Sequence, residues 1–424
     1  MTKKQNENLS FNNLGISPSI LGQLEKLGFN IPTPIQHQAI PIGITGQDLM
    51  GIAQTGTGKT LAFGIPMIQN LHLKKCTGLI LLPTRELALQ VESALRDLGQ
   101  PLGLRTVVLI GGTPIEPQMR QLAKRPHIII ATPGRLMDHL QRKRVILNTT
   151  KIIVLDEADR MLDMGFEPDI KRILSAIPKG EKQTMLFSAT MPEKITRLAR
   201  SYMRSPLRVE VAPAGTTAEH IEQEVFIVPK PQKLSLLNEI LAQYQERILI
   251  FSRTKHGAKK ICRAIDQMGH RSAELHSNKS LAQRTRALEG FKSGRTRILV
   301  ATDIASRGID VRDIEVVINF DLPDNPEDYV HRIGRTGRAG KAGRAISFVV
   351  PEQKRDLITI ERLISARLPV KPLPKFEKHI VAPQAPKPQI RTWQNSRPTA
   401  KPRGGRNFAR NSHGRKTAFK RGNR

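Results

Sequence analysis

Short apolar runs alternate with segments of helical spacing through most of the chain. The runs are three to five residues long and nearly continuous, which is typical of strands buried on both faces of a parallel sheet. They fall in two series, at 78–82, 106–110, 127–130, 152–155 and 184–187, and then at 225–228, 247–251, 297–300, 316–318 and 346–350. Because helical patterns lie between the runs, the sequence predicts an α/β protein with parallel sheets and helices on both faces.

The two series predict two domains. At 424 residues the chain is long enough for two domains that each bury a core. The apolar pattern stops at 212–220, a segment that contains Pro213 and Gly215 and is typical of a linker. We therefore expect a first domain at 1–211, a linker at 212–220, a second domain at 221–370 and a tail at 371–424.

The tail carries much of the positive charge. The whole chain has a formal net charge of +31, and 378–424 contains thirteen Lys and Arg residues but no Asp or Glu. Such a composition cannot form a core and predicts disorder, with Trp393, Phe408 and Phe419 able to stack on unpaired bases. A polyanionic partner is indicated, nucleic acid first and an anionic membrane second, although a solubilising tail would have the same composition.

The remaining composition indicates a soluble protein of the cytoplasm. No apolar stretch is long enough to span a bilayer, and the first eight residues are polar apart from Met1. Cys76 and Cys262 are far apart in the sequence and have no second Cys nearby. Neither a disulfide framework nor a cysteine metal site is therefore indicated.

A glycine-rich segment at 53–60 predicts a phosphate-binding loop. Gly56 and Gly58 allow a tight turn whose N–H groups surround phosphates, while Lys59 reaches the β- and γ-phosphates. Thr60 supplies the hydroxyl that such a loop places on Mg²⁺. Ala53 stands where the strict motif has its first glycine, and a Gly/Thr surface loop is the alternative. An apolar run before the segment and a helical pattern at 61–71 favour the phosphate loop.

The acidic segment Asp156-Glu157-Ala158-Asp159 follows the predicted strand at 152–155. Ligands gather at the carboxyl ends of parallel strands, so Asp156 is placed to hold Mg²⁺. Glu157 is placed to orient or deprotonate an attacking water, because phosphoryl transfer depends mainly on positioning and charge stabilisation. The acidic first turn of a surface helix is the alternative.

A third segment supplies positive charge from the second domain. Arg335 and Arg338 lie three apart in a glycine-punctuated stretch that precedes the predicted strand at 346–350. They are suited to act as arginine fingers on a γ-phosphate, although a solvated basic helix face is the usual role of such a run. With the phosphate loop on one domain and these arginines on the other, ATP is expected to bind in the cleft between them.

At this point the chain resembles the DEAD-box RNA helicases, from about Leu9 to about Pro369. The resemblance rests on motifs that occur in one order: Gly28-Phe29 with Pro32-Thr33-Pro34-Ile35-Gln36, the phosphate loop, Pro83-Thr84-Arg85-Glu86-Leu87-Ala88, Gly111-Gly112, Thr132-Pro133-Gly134-Arg135, Asp156 to Asp159, Ser188-Ala189-Thr190, Phe251-Ser252-Arg253-Thr254, Ala301-Thr302-Asp303, Ser306 to Asp310 and His331 to Arg338. Within this family the chain is most similar to the bacterial RhlE type.

The resemblance implies two RecA-like domains, RNA-stimulated ATP hydrolysis with Mg²⁺, and local separation of short RNA duplexes. It adds nucleotide contacts at Phe11, Phe29, Thr55, Thr57 and Asp310. It assigns coupling between the domains to Asp159, Ser188, Thr190 and His331. It also implies a sequence-independent grip on single-stranded RNA by Arg85, Gly111, Gly112, Thr132, Gly134, Arg135, Arg253, Arg284 and Thr302. The motif around Arg284 departs from the family pattern at Ser277 and Leu281.

Gln36 offers a reason to expect ATP rather than GTP. Its amide carries one donor and one acceptor, which match adenine N6 and N7, whereas guanine presents two acceptors there. The resemblance implies that Phe11 packs on the adenine, and a hydrophobic anchor for the N-terminal segment is the alternative role. Proteins of ribosome assembly or RNA degradation are candidate partners.

Two other classes of function share part of this pattern. A translocase on double-stranded DNA would have the phosphate loop, the acidic motif and paired arginines, but Gln36 and the literal Asp-Glu-Ala-Asp favour the RNA helicases. A passive RNA-annealing protein would not need the charged set formed by Lys59, Thr60, Asp156, Glu157, Arg335 and Arg338.

The tail generates a first prediction. Truncation before Lys378 should raise the RNA concentration needed for half-maximal ATPase activity and flatten the salt dependence of RNA binding, because thirteen cations that release counterions are removed. Maximal turnover should change little. ATPase titrations and binding isotherms at several salt concentrations provide the measurement, and an unchanged affinity and salt slope would contradict it.

Overall fold

The computed structural model describes residues 9–54, 56–74, 76–211, 221–303, 314–337 and 342–375. The chain divides into two units, Met1–Pro383 and Gln384–Arg424, and the second lies wholly outside the described residues. The predicted linker at 212–220, nearly all of the predicted tail, and the predicted site residues Thr55, Asp310 and Arg338 also lie outside them.

The first domain is built on a seven-stranded parallel sheet with the order β3-β4-β2-β5-β6-β1-β7. Its strands are β1 (Leu49–Ile52), β2 (Thr77–Leu81), β3 (Thr106–Leu109), β4 (Ile128–Ala131), β5 (Thr150–Leu155), β6 (Gln183–Ser188) and β7 (Leu207–Glu210). The helices before and between them are α1 (Pro18–Lys26), α2 (Pro34–Ile44), α3 (Lys59–Lys74), α4 (Arg85–Gly99), α5 (Ile115–Ala123), α6 (Pro133–Gln141), α7 (Ala158–Asp163), α8 (Glu167–Ala176) and α9 (Glu193–Tyr202).

The second domain repeats this design with a seven-stranded sheet in the order β10-β11-β9-β12-β13-β8-β14. Its strands are β8 (Ile221–Ile227), β9 (Ile248–Phe251), β10 (Ser272–Leu275), β11 (Ile298–Ala301), β12 (Val316–Asn319), β13 (Gly343–Val349) and β14 (Val370–Lys371). The described helices are α10 (Lys233–Gln243), α11 (Lys255–Gln267), α12 (Leu281–Lys292), α13 (Pro326–Ile333) and α14 (Lys354–Ile364). The α/β fold class with two tandem RecA-like domains is therefore confirmed.

Apolar side chains cover both faces of each sheet. In the first domain, Ile80 and Val154 belong to one core, while Leu79 and Ile153 belong to the core on the opposite face. Alternate residues of a strand point to opposite faces, so these strands must be apolar at every position. This requirement explains why the runs in the sequence are continuous rather than alternating.

Three strands that the apolar pattern did not predict lie toward the sheet edges. Strands β7 and β14 are edge strands, and most of their residues are exposed. Strand β10 is also an edge strand and is mainly half-buried. An edge strand needs no continuous apolar run, because one side of it has no neighbour to pack against.

The strand order brings the nucleotide motifs together. Strand β6 lies between β5 and β1 and pairs in parallel with both. The segments that follow β1, β6 and β5 therefore meet at one edge of the sheet, the edge formed by the carboxyl ends. Among the helices that the structure describes, none has both the length and the apolar character required to cross a bilayer.

Candidate nucleotide and RNA site

The phosphate loop joins β1 to α3, and the helix begins at Lys59. Gly58 has φ +91°, and an added Cβ there would overlap the Gln36 amide nitrogen, so only glycine fits without displacing that side chain. The Lys59 Nζ donates to the Ala53 carbonyl oxygen at 3.0 Å, at the position where the strict motif has glycine. Thr57 Oγ1 donates to the Gln54 carbonyl at 2.7 Å, which closes the turn.

The start of α3 is consequently suited to bind anions. The first N–H groups of a helix have no partner within it and carry the positive end of the helix dipole. Gly56 has φ +92°, in the left-handed region, and Thr60 is the second residue of the helix and is half-buried. The predicted phosphate contacts that fall on described residues thus lie on one turn and one helix start.

Asp156 lies opposite the lysine. Its Oδ1 is 3.9 Å from the Lys59 Nζ and accepts a hydrogen bond from the Glu157 amide at 2.9 Å. Burial raises the pKa of the Asp156 carboxyl to about 6, although Lys59 acts in the opposite direction. Burial removes the water that would stabilise the negative charge of this carboxylate. A bound divalent cation would supply the missing stabilisation.

Asp156 and Thr60 fit a magnesium ion by their chemistry. Mg²⁺ prefers oxygen ligands, usually one or two carboxylates together with phosphate oxygens and water. The desolvated Asp156 carboxylate and the Thr60 hydroxyl supply such oxygens beside the phosphate loop.

Glu157 has an unusual backbone conformation. It has φ 50° and ψ 50°, in the left-handed region that residues with a side chain rarely adopt. Such a conformation costs on the order of 1–3 kcal/mol and persists where surrounding contacts enforce it. Here the turn lets the chain leave β5 and enter α7 within two residues, and Glu157 is buried at the same edge as the phosphate loop.

The last residue of the acidic motif binds the strand next to it. Asp159 Oδ2 accepts hydrogen bonds from the amides of Ala189 and Thr190, at 3.1 and 3.0 Å, and from Thr190 Oγ1 at 3.1 Å. The Asp159 amide donates to Ser188 Oγ at 3.3 Å. The structure therefore brings together three of the four residues predicted to couple the domains. The alternative interpretation of the acidic motif is the first turn of a surface helix. It does not fit the structure, because the residues of the motif are buried.

The residues predicted to contact the adenine base differ in their burial and in their contacts. Gln36 Oε1 accepts from the Thr33 amide at 2.9 Å, and its Nε2 donates to the Gly58 carbonyl at 3.0 Å. Adenine recognition by Gln36 stays a prediction, because both ends of the amide contact the chain itself. Phe11 is buried in the first core, so the anchor role stays open, while Phe29 is 43% exposed.

Arg335 lies just beyond α13, which also carries His331. Its guanidinium is buried, and its Nε donates to the His331 carbonyl at 3.3 Å. Arg332, which the sequence analysis missed, is 2% exposed and donates to both carboxylate oxygens of Asp303, at 2.6 and 2.7 Å. It also donates to Asn319 Oδ1 at 3.2 Å. Arg332 thus fixes α13 against the ends of β11 and β12 and positions the arginine segment.

The first-domain residues predicted to contact RNA surround one turn. Gly112 has φ +75°, and an added Cβ there would overlap the Arg85 guanidinium. Arg135 donates to the Thr113 carbonyl at 3.1 and 3.2 Å, and Gln118, which the sequence did not single out, donates to the Ile110 carbonyl at 3.0 Å. Arg135 and Gln118 therefore hold the turn that carries the two glycines.

The other predicted RNA residues lie close to strand ends. Thr132 is the N-cap of α6 and is buried, while Gly134, in the first turn of α6, has open space where a Cβ would stand. In the second domain, Thr302 directly follows β11, and its amide donates to the Leu275 carbonyl at 3.2 Å. Arg253 follows β9, where its Nε lies 3.1 Å from Asp324 Oδ1.

Among the residues that the structure describes, two ion pairs cross from one domain to the other. Arg284 Nη2 on α12 lies 2.7 Å from Glu86 Oε2 on α4, and both side chains are buried. Arg160 on α7 lies 2.5 Å from Asp328 on α13. Burial lowers the pKa of Arg284, and Glu86 opposes that shift. Separating the domains would leave these buried charges without partners, which is energetically costly. Both ion pairs therefore hold the domains together, through residues that lie in or beside the predicted motifs.

A fold of two parallel-sheet domains, with a phosphate loop on one and buried arginines on the other, defines the class of helicase ATPases. The family model described as DEAD/DEAH box helicase matches residues 33–198, and the model described as helicase conserved C-terminal domain matches residues 232–340. The chain is 42% identical to a DEAD-box ATP-dependent RNA helicase CshA of Geobacillus kaustophilus over 362 residues, which cover 85% of this chain and 77% of that protein. It belongs to the DEAD-box ATP-dependent RNA helicases.

Solved structures agree with this assignment. S. cerevisiae Dbp5 bound to RNA and ADP BeF3 matches with a TM-score of 0.77 and 29% identity, covering 85% of this chain and 95% of that one. A DEAD box protein from Methanococcus jannaschii is 38% identical with a TM-score of 0.51, covering 86% and 99%. The RhlE subtype expected from the sequence receives no support, because the matched bacterial relatives carry the name CshA, including one of Listeria monocytogenes at 42% identity over 84% of this chain and 69% of that protein.

The raised pKa of Asp156 generates a prediction for stability. In the unfolded chain this carboxyl ionises near pH 4, whereas in the folded chain its pKa is about 6, so the folded state binds the proton more tightly. Above about pH 6 the native protein carries a costly buried charge, and Asp156→Asn should increase the free energy of unfolding there by about 1–3 kcal/mol. The gain should shrink as the pH falls below 6 and disappear below about pH 3, where the carboxyl is protonated in both the folded and the unfolded state.

Urea unfolding of the apoprotein at acidic and slightly alkaline pH measures this difference. Asp97→Asn, at an exposed position on α4, serves as the matched control and should show no such pH dependence. ATPase activity should be lost in Asp156→Asn although the protein becomes more stable. A stability difference that is the same at both pH values would contradict the assigned cause.

Proposed function

We propose that this chain hydrolyses ATP between its two domains and uses the cycle to separate short RNA duplexes locally. The observation that carries the proposal is the pair of interdomain contacts, Glu86 with Arg284 and Arg160 with Asp328. Each contact joins a residue in or beside a motif of the first domain to a helix of the second domain. Movement of one domain is therefore transmitted directly to residues beside the nucleotide and RNA motifs.

The contact between Arg160 and Asp328 links the two halves of the ATP site. Arg160 follows Asp159, which binds the segment after β6, and Asp328 lies on the helix that leads to Arg335. When this ion pair forms, the first turn of α13, the helix that precedes Arg335, is held against the acidic motif. Arg335, together with Arg338 as implied by the family, would then stabilise charge on the γ-phosphate, as arginine fingers do.

The chain's own residues supply the other parts of the reaction. Lys59 would leave the Ala53 carbonyl to contact phosphate oxygens, and Thr60 and Asp156 would hold Mg²⁺. A bound magnesium ion would neutralise phosphate charge during transfer. Glu157 is buried at the carboxyl edge of the first sheet, where its carboxylate would orient the attacking water.

RNA would be gripped through its backbone. The turn at Gly111 and Gly112 presents main-chain groups that Gln118 and Arg135 hold in place, and Arg85 lies against it. Backbone N–H groups and small residues contact phosphates without distinguishing bases, so sequence specificity should be low. Because Glu86 is adjacent to Arg85, the ion pair with Arg284 supports a position of the second-domain helix α12 in which it would lie beside the same strand of RNA.

The structural comparisons support an arrangement of the two domains that is compatible with RNA binding. The chain as a whole superposes better on Dbp5 bound to RNA and ADP BeF3 than on the Methanococcus jannaschii protein, although its identity to Dbp5 is lower. A particular subtype, cytoplasmic location and partners in ribosome assembly or RNA degradation stay proposals, and the matched relatives favour a CshA-like type.

The proposal predicts that RNA controls hydrolysis. Arg335 can act on ATP bound to the first domain only when the domains are closed, and an RNA strand that contacts both domains favours closure. Saturating single-stranded RNA should raise the ATPase rate by about tenfold or more, and double-stranded DNA should not. Arg160→Gln should need more RNA for half-maximal activity, whereas Arg172→Gln, on the exposed face of α8, should behave like the wild type. Equal rates with and without RNA would contradict the proposal.

A second variant isolates the water-positioning role. Glu157→Gln keeps the size of the side chain but removes its charge, so ATP should still bind while turnover falls by about two or more powers of ten. The variant should retain RNA in a long-lived complex when ATP is present. Single-turnover hydrolysis and RNA dissociation rates provide the measurements, with Glu193→Gln at an exposed position on α9 as control. Near-normal turnover would assign the role to another residue.

A further inference from the structure

A cavity of about 720 Å³ opens at the edge of the first sheet that lies away from the phosphate loop. It is lined by residues immediately before β2, β3, β4 and β5, including Cys76, Arg105, His127 and Thr149. Because these strands are parallel, the cavity lies at their amino ends, whereas the nucleotide and RNA motifs follow their carboxyl ends. It is therefore separate from the site described above.

The charge of this cavity has one sign. Of the described residues that line it, three are arginines, Arg105, Arg125 and Arg144, and none is Asp or Glu. Among the described residues, no carboxylate forms an ion pair with any of the three. Arg105 uses its Nη2 to donate to the Arg125 carbonyl at 3.2 Å, which leaves most of its donors for another acceptor. Guanidinium groups present five donors each, so the rim is suited to bind several carboxylates.

The His127 ring, beside Arg105, adds a hydrogen-bond donor to the cavity. His127 Nδ1 accepts a hydrogen bond from the Arg105 amide at 3.0 Å, so in the neutral ring the proton resides on Nε2. Burial, and next the charge of Arg105, lowers the pKa of His127, which keeps the ring neutral near pH 7. The ring therefore adds an N–H group to a surface that already attracts anions.

The floor of the cavity is apolar. Leu104, Leu122, Ile129 and Val145 line it, and Ile146 at its rim is 70% exposed. Single-stranded nucleic acid is usually bound with aromatic platforms on which bases stack, yet the part of the cavity lining that the structure describes contains no Phe, Tyr or Trp. An apolar pocket with an arginine rim is instead typical of surfaces that receive an anchoring side chain of another protein.

We propose that this cavity binds an acidic peptide segment of a partner protein, with one bulky apolar side chain in the pocket and carboxylates on Arg105, Arg125 and Arg144. Charge complementarity identifies the occupant. The chain's own tail does not fit, because 378–424 contains no Asp or Glu. A second copy is disfavoured by the net charge of +31 that each chain carries.

A peptide selection tests the proposal on the full-length protein. A phage-displayed library of random peptides of about a dozen residues is selected on the wild type and counter-selected on a variant with Arg105→Glu and Arg144→Glu. We expect enrichment of Asp and Glu around a Leu, Ile or aromatic residue. Synthetic versions of the enriched peptides should bind the double variant at least about tenfold more weakly and should bind Arg172→Glu normally.

Hydrogen exchange then locates the bound peptide. Protection should appear at 103–105, 125–127 and 144–149 and not in the phosphate loop, and Ile146→Ser should weaken binding by a few fold. All these variants should keep wild-type RNA-stimulated ATPase activity, which shows that they fold. Peptides without acidic enrichment, equal affinity for the double variant, or protection of these segments by an oligouridylate instead of a peptide would overturn the proposal.

Discussion

A buried charge must be matched by donors or by an opposite charge, and this constraint organises the site. Asp159 is matched by two amides and a hydroxyl after β6, and Asp303 by the guanidinium of Arg332. Among the described residues, the charge of Glu86 is matched by Arg284 of the other domain alone. A charge buried in one domain is therefore matched by a residue of the other domain. Only a closed arrangement that brings these two residues together avoids an unmatched buried charge.

The same constraint separates residues that hold the site from residues that act in it. Asp159, Arg332, Gln118 and Arg135 have several partners each and fix turns that carry other groups. Asp156 is different, because burial is the largest influence on its pKa and Lys59 offsets it only in part. An incompletely matched carboxylate is costly in the apoprotein and valuable when a cation binds.

The sequence predicted the sheets well because a strand covered on both faces must be apolar throughout. It failed at β7, β10 and β14, whose edge positions impose no such requirement. The motif residues around the phosphate loop were predicted from local spacing. Arg332 was missed because its importance depends on Asp303 and Asn319, which approach it only through the order of the strands.

The interdomain pairs were missed for a related reason. Glu86 and Arg284 lie far apart in the sequence, and nothing in either local pattern specifies the other residue. The subtype also could not be obtained from the shared motifs, since these are the parts that members of the family have in common.

The position of β1 has a consequence for synthesis. Strand β1 precedes every other strand, yet it pairs only with β6 and β7, with Leu49 beside Met185 and Leu207. The phosphate loop therefore cannot be fixed against its sheet until the chain has been made as far as β6. Such non-local pairing is slow to form, so the nascent chain exposes an unpaired apolar strand for most of the synthesis of its first domain. The ATP site is among the last parts of that domain to assemble, although its residues are among the first to be translated.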